Sequence, residues 1–355
     1  MARRLLAMGN PAAGGDDEAT RRAVLGVLGG GADVVFHALE RPDDLDRALA
    51  EHPDREPVVL GGDGTLHRVV AALLARGELE RRPVGLIPMG TGNDLARTLG
   101  IPLDPEEAAR VVLDGTPRPL DLLVEDPPGE NGRGENGRGE NGRVGDASAR
   151  GVPGEDVPSG SGPGEDAADG SGPSEDAAGE DAAGGSGGIV INAVHVGVGA
   201  EASRRATPLK PVLRRAAYAA GALLAGVRSK GWRLRVRVDG ELVADGRRRV
   251  LMVGVGNGAS IGGGTPLAPE ARPDDGLADV IVSYAVSPWG RLAYGVLLRL
   301  GRHPERDDVA TFRGRAVVVE GEPVPANADG ELCPPAPRRS WTLRPAAWRI
   351  VAPRS

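Results

Sequence analysis

The residues of this sequence whose types and spacing could do chemistry are carboxylates set beside glycine-rich turns, and the chemistry they suit is the handling of phosphate. Gly61-Gly62-Asp63-Gly64-Thr65 stands directly after an apolar run, Val58–Leu60, and directly before a helical pattern from Leu66 to Arg76. Glycines let backbone N–H groups approach a ligand closely, and a helix N-terminus favours an anion. Asp63 adds a carboxylate where a phosphate-bound Mg²⁺ could be held, although a plain glycine turn with Thr65 as helix cap would read the same way. A second turn of this kind, Gly90-Thr91-Gly92-Asn93-Asp94, follows the run Val84–Met89, and a third, Asn10-Pro11-Ala12-Ala13-Gly14, follows Leu5–Met8. Neither a Walker sequence nor a GxGxxG fingerprint is present, so the common P-loop and dinucleotide readings fail.

The elements that must position these turns divide the chain in three. In residues 1–125 the runs Leu5–Met8, Val34–Phe36, Val58–Leu60 and Val84–Met89 read as short buried strands. They alternate with helical patterns near 18–29, 42–51, 66–76, 92–99 and 105–113, which predicts a mostly parallel sheet with helices on both faces. Glycine turns at the carboxyl ends of its strands would line a nucleotide crevice. Residues 126–188 change texture: three copies of Gly-Glu-Asn-Gly-Arg run from Gly129 to Arg143, followed by Gly/Ser/Pro/Glu/Asp/Ala repeats. So few apolar residues cannot offset the entropy of ordering, and this insert is expected to be disordered. Residues 189–355 read as a β-rich domain with strands at Ile189–Val198, Trp232–Val238, Arg249–Val255, Ala278–Ser283, Ala316–Glu320 and Ser340–Leu343. Two helices are expected within it, near 208–228 and near 288–301, the second opened by Ser287 and Pro288.

Composition bounds the partners. Only 3% of residues are aromatic, which argues against stacking platforms for nucleic acid. Cys333 is the single cysteine, so an intrachain disulfide and a multi-thiolate metal site are excluded and a reducing, cytoplasmic setting is expected. No secretory core and no apolar stretch of membrane-spanning length is found. The insert holds fourteen acidic residues and four arginines; removing its net −10 from the whole-chain −7 leaves +3, a mildly basic body compatible with an anionic membrane surface.

The order NPAAG, GGDGT, GTGNDLAR, Leu120-Asp121-Leu122, NGASIGGGTPLAPEARPDDGLADV (Asn257–Val280) and Asp329-Gly330-Glu331 resembles the diacylglycerol kinase catalytic family and its bacterial lipid-kinase members. The resemblance covers nearly the whole chain except the insert. It implies an α/β nucleotide-binding domain, a C-terminal β-sandwich whose last residues pack back on the first domain, and a lipid site in the cleft between the two. ATP would be held by Asn10, Pro11, Gly14, Gly61, Gly62, Asp63, Gly64, Thr65, Thr91 and Asn93. Glu331 would be the base that takes the acceptor's proton, with Asp63 essential beside it, and Asp63, Asp94 and Asp121 would arrange Mg²⁺. A structural Mg²⁺ or Ca²⁺ would sit on Asp275 and the carbonyls of Arg272 and Leu277. The implied reaction is phosphorylation of a lipid hydroxyl at a membrane surface, diacylglycerol to phosphatidic acid first, with sphingoid bases, ceramide or other glycerolipids as alternatives. A homodimer is compatible with this reading. Two rivals stand beside it: an NAD kinase-like enzyme, which shares GGDGT, and a non-catalytic lipid- or nucleotide-binding regulator. The family's Asn-Glu after GGDGT is replaced by His67 and Arg68, and a nucleotide-contacting Thr by His37. Both histidines are expected to be surface or helix-face substitutions, since nothing in the sequence pairs them with a carboxylate.

Overall fold

The computed structural model describes residues 3–10, 18–127, 188–201 and 230–354. The insert between 128 and 187, and the helix expected near 208–228, lie outside the described residues. In the first lobe, the four apolar runs form β1 (Arg3–Gly9), β2 (Ala32–Ala38), β3 (Glu56–Gly61) and β4 (Gly85–Pro88), a parallel sheet in the order β2-β1-β3-β4. Parallel pairing needs crossovers. These are α1 (Glu18–Gly29), α2 (Asp44–Glu51), α3 (Asp63–Ala75), and then α4 (Asp94–Leu99) and α5 (Pro105–Asp114) after β4. Because helices cover both faces, the strands read as continuous apolar runs, and Leu5, Leu6, Met8, Val58, Val59 and Ile87 are all buried. The start of α5 follows its sequence closely: Asp104 accepts the Glu107 amide, and Pro105 occupies the first turn.

The second lobe is an antiparallel sheet. It comprises β5 (Thr116–Glu125), β6 (Ile189–Val190), β7 (Ala193–Gly197), β8 (Leu234–Val238), β9 (Glu241–Asp245), β10 (Met252–Gly256), β13 (Ala278–Ser283), β14 (Val309–Gly314), β15 (Ala316–Ala328) and β16 (Glu331–Ala352). A separate hairpin joins β11 (Ser260–Ile261) to β12 (Thr265–Pro266). One face of nearly every strand contributes to a single core that includes Val196, Val236, Val253, Val280, Val319 and Trp341, so the sheet folds over on itself. β8 shows the reason in its sequence: Leu234, Val236 and Val238 point inward while Arg235 and Arg237 point out. β5 and β6 pair directly, Leu123 opposite Val190, so the chain leaves and re-enters the sheet at adjacent places on either side of the insert. One helix of this lobe, α6 (Pro288–Arg299), starts as its sequence predicts, with Ser287 accepting the Gly290 amide.

Two expectations of strand length are corrected. The single strand expected over Ile189–Val198 breaks at Ile191 and Asn192, because the amides of Ile191, Asn192 and Ala193 all turn onto the Asp329 carboxylate. The short runs expected at Ala316–Glu320 and Ser340–Leu343 are the start of the much longer β15 and the middle of the much longer β16. The ladder absorbs Pro323, Pro325, Pro334, Pro335 and Pro345, residues that ordinarily interrupt a strand, at or beside register shifts.

β16 also joins the lobes. Its final part runs past β4, where Val84 donates to the Arg349 carbonyl and Val351 donates to that of Val84. Trp348 and Ile350 thereby belong to the first lobe's core, and the Trp348 indole donates to the Asp121 carbonyl. No helix among the described residues is long and apolar enough to cross a membrane. Trp348→Ala is expected to cost about 3–5 kcal/mol, the usual range for emptying a fully buried tryptophan site, as read from chemical denaturation. A midpoint like that of the unsubstituted protein would show that β16 is not a tie between the lobes.

Candidate active site

The site assembles at the carboxyl ends of β1, β3 and β4. β3 ends at Gly61 and α3 begins at Asp63, with Gly62 as the cap residue, so no side chain satisfies the first N–H groups of that helix. Thr65 is the third residue of α3 rather than its cap, and packs beside Gly61. The turn after β4 is pressed against this loop. A Cβ on Gly90 would lie 2.5 Å from the Gly62 Cα, and one on Gly62 would lie 3.0 Å from the Gly90 Cα. Glycine is required at Gly90 by this approach of backbone to backbone. Asn93, in the left-handed region at φ 54°, locks the turn: its Oδ1 accepts the Gly90 amide and its Nδ2 donates to the Gly90 carbonyl. Thr91 is exposed, Gly64 faces open space, and Asn10 directly follows β1. Pro11 and Gly14 lie outside the described residues.

Asp63 reaches across to α4, where its two oxygens accept the amides of Asp94, 3.0 Å, and Leu95, 3.3 Å. Burial raises its pKa, and the neighbouring charges of Asp94 and Asp329 add to the rise while the two amide bonds oppose it. Asp94 in turn grips the second lobe. It accepts the Ser260 hydroxyl at 2.8 Å and the amides of Gly263 and Gly264 at 2.8 and 2.7 Å. Gly262, Gly263 and Gly264 all have positive φ, which is what lets consecutive amides converge on one carboxylate.

Opposite this stands the turn between β15 and β16. Asp329 (φ 47°) and Gly330 (φ 96°) make a two-residue turn of the kind an Asp-Gly pair favours, and Glu331 begins β16 with its side chain exposed. Asp329 accepts three backbone amides, from Ile191, Asn192 and Ala193, at 2.6–3.0 Å. It also meets His67 of α3, with Nδ1 3.1 Å from Oδ2. This corrects the expectation for His67: the carboxylate that pairs with it lies 262 positions away, where no sequence pattern links the two. Burial alone would depress the imidazole pKa, but the Asp329 bond and the fields of Asp329 and Glu331 raise it. His37 sits in β2 opposite Met8, and Arg68 is exposed.

The remaining expected metal residues lie elsewhere. The Asp121 carboxylate accepts the amides of Gly276, 2.7 Å, and Ala346, 2.8 Å, and so pins the Arg272–Leu277 loop and a bulge of β16 rather than reaching the glycine loops. Asp275 accepts the Leu277 amide at 3.1 Å and forms an ion pair with Arg313. Arg272 is exposed and Leu277 half-buried. Among the described residues, no group of three or more His, Cys, Asp or Glu side chains is arranged to hold a metal ion. Ser260, the triple glycine and Asp329 hold the site together without a role that their sequence assigns; the glycine run is the readable signal, because consecutive positive-φ residues point amides at an acceptor.

Comparison with known proteins agrees with this geometry. Residues 4–124 match the diacylglycerol kinase catalytic domain, and residues 192–352 match the YegS C-terminal NAD kinase beta sandwich-like domain. A Stenotrophomonas maltophilia protein named "Probable lipid kinase YegS-like" is 30% identical over 91% of this chain and 87% of its own. A Mycobacterium tuberculosis protein named "Diacylglycerol kinase" is 28% identical over 93% and 85%. A Bacillus anthracis structure described as a diacylglycerol kinase superimposes with a TM-score of 0.62 at 18% identity, over 99% of this chain and 97% of that one, a likeness of fold.

Gly90→Ala is expected to lower nucleotide affinity at least about tenfold, about 1.4 kcal/mol, while the chain stays folded, because the two loops must separate to admit the methyl group. A calorimetric titration showing unchanged affinity would mean that these loops are not the nucleotide site expected from the sequence.

Proposed function

The chain belongs to the YegS-like lipid kinases, and from that premise we propose that it transfers the γ-phosphoryl group of ATP to the hydroxyl of diacylglycerol, giving phosphatidic acid. The observation that carries this reading is that an uncapped helix N-terminus among glycine loops and a turn bearing Glu331 are linked through a single helix, α3. In this proposal, the N–H groups at the start of α3 and the Gly90–Asn93 turn hold the phosphates, and Glu331 accepts the proton of the acceptor hydroxyl. ATP supplies the phosphoryl group. In this proposal a hard cation would sit at Asp63 with Asp94 beside it and relieve the repulsion between the two, sharing carboxylate oxygens that already accept backbone amides. Asp121, expected in the same network, is held by the Gly276 loop and the β16 bulge and would act on that site through the fold. A second cation on Asp275 and the carbonyls of Arg272 and Leu277 remains part of the proposal, and it would have to displace Arg313 from Asp275.

A lipid substrate implies contact with a bilayer. In support, α6 exposes Trp289, Leu292 and Val296, with Leu300 just beyond its end, and its own charges are Arg291 and Arg299 with no acidic residue. An exposed tryptophan on a basic, apolar helix face suits an anionic membrane interface. α6 packs on β12, the hairpin strand that follows the glycines gripping Asp94.

The test is ATP-dependent phosphorylation of mixed micelles carrying diacylglycerol, a sphingoid base or ceramide in turn, with NAD as a further acceptor. Diacylglycerol turnover is expected, and Glu331→Gln should lower it by about 10²–10⁴ while leaving ATP affinity near normal. Turnover of NAD alone, or undiminished turnover by the variant, would sink the reading. The membrane contact has its own check. Trp289→Ser, at a position 81% exposed, should cut turnover on anionic vesicles severalfold yet leave a short-chain, water-soluble diacylglycerol unaffected. Equal losses on both substrates would place Trp289 in the fold or the cleft instead.

A further inference from the structure

We propose that His67 is a positioning residue for this reaction, holding the Glu331 hairpin against the phosphate-loop helix through Asp329; the inference rests on the kinase reading above. Asp329 is the anchor because its side chain is only 2% exposed and its carboxylate is surrounded by donors. Three of those donors are amides of its own lobe. The fourth is His67, the one side chain of the first lobe bonded to Asp329 among the described residues. Fixing Asp329 fixes Glu331, since the two are separated only by Gly330 within a tight turn whose amide is itself held by Asn327. His67 stands one turn after Asp63 on α3, so the same short helix carries the phosphate loop and the grip on the base.

Charge strengthens the bridge. From the hairpin Asp329 and Glu331 face the imidazole, and on α3 Asp63 precedes it. An imidazolium there offsets part of that negative field, and the field in turn favours the protonated ring. A group whose folded pKa is raised contributes stability that is complete below its unfolded value, 6.5, and that fades as pH rises through the folded value. The charge-assisted grip is therefore strongest in mildly acidic solution and weakens above neutrality, when only a neutral N–H bond is left.

Two substitutions separate geometry from charge. His67→Asn puts an amide N–H close to where Nδ1 stands and carries no charge; His67→Leu removes both. Steady-state lipid phosphorylation from pH 6 to 9, with ATP titrations and melting curves on the same proteins, is the experiment. His67→Leu is expected to lower kcat about tenfold or more with the ATP KM within about twofold. His67→Asn should restore most of that rate and lack the alkaline decline of the unsubstituted enzyme. The melting-temperature gap between the unsubstituted protein and His67→Leu should be widest below pH 6.5 and narrow above it. A leucine variant with normal kcat and pH profile overturns the proposal, as does one whose only change is ATP affinity. Should the unsubstituted protein phosphorylate no lipid, the kinase reading fails on its own, and a pH-independent melting gap would then show that the bridge is absent as well.

Discussion

Asp63, Asp94, Asp121 and Asp329 each accept two or more backbone N–H groups, and the arrangement of the candidate site depends on those bonds. A carboxylate withdrawn from water is tolerated only where donors replace its hydration, and bonds to a charged acceptor contribute about 1.5–3 kcal/mol each. Asp63 takes amides from α4, Asp94 from the β11–β12 hairpin, Asp121 from the Gly276 loop and the β16 bulge, and Asp329 from the bend after β6. Most of these partners lie far away in sequence, 166–170 positions for Asp94 and 136–138 for Asp329. Each bond is therefore a restraint on the fold as well as on the site, and the lobes are held where the carboxylates are satisfied.

Amides converge on an acceptor only if the backbone bends toward it, and this accounts for where the glycines stand. Gly262, Gly263, Gly264, Gly276 and Gly330 have positive φ beside one of these carboxylates. Gly62 and Gly90 serve differently. Gly62 is extended, at φ −99°, and what it supplies is the missing side chain that lets two loops touch through their backbones. A motif such as GGDGT thus combines a contact surface, a bare helix start and an acceptor for the amides of α4 within five residues.

This separation of roles explains what the sequence could convey. The parallel lobe was legible because strands buried on both faces are unbroken apolar runs, and the glycine turns fall directly after them. β15 and β16 were not, because their prolines read as breaks until a partner strand shows that the bulges absorb them. The aspartates were legible as important but not as structural: Asp121 looks the same whether it meets a cation or the amides of Gly276 and Ala346. His67 reads in the sequence as an unpaired surface or helix-face residue, because its partner is brought to it only when both lobes are folded.

The same carboxylates pose an electrostatic problem whose solution orders the proposed reaction. Asp63, Asp94, Asp329 and Glu331 gather where a nucleotide's anionic phosphates would arrive, and two unit charges 4 Å apart repel by about 4 kcal/mol at an effective dielectric of 20. Amide bonds disperse part of that charge over Asp63, Asp94 and Asp329, while Glu331 stays exposed and solvated. The open start of α3 attracts phosphate at one end of the group, and His67 faces the carboxylates at the other. A divalent cation arriving with the nucleotide would neutralise the middle. On this account the metal–nucleotide complex binds as one unit, since either component alone would meet a field that the other is needed to offset.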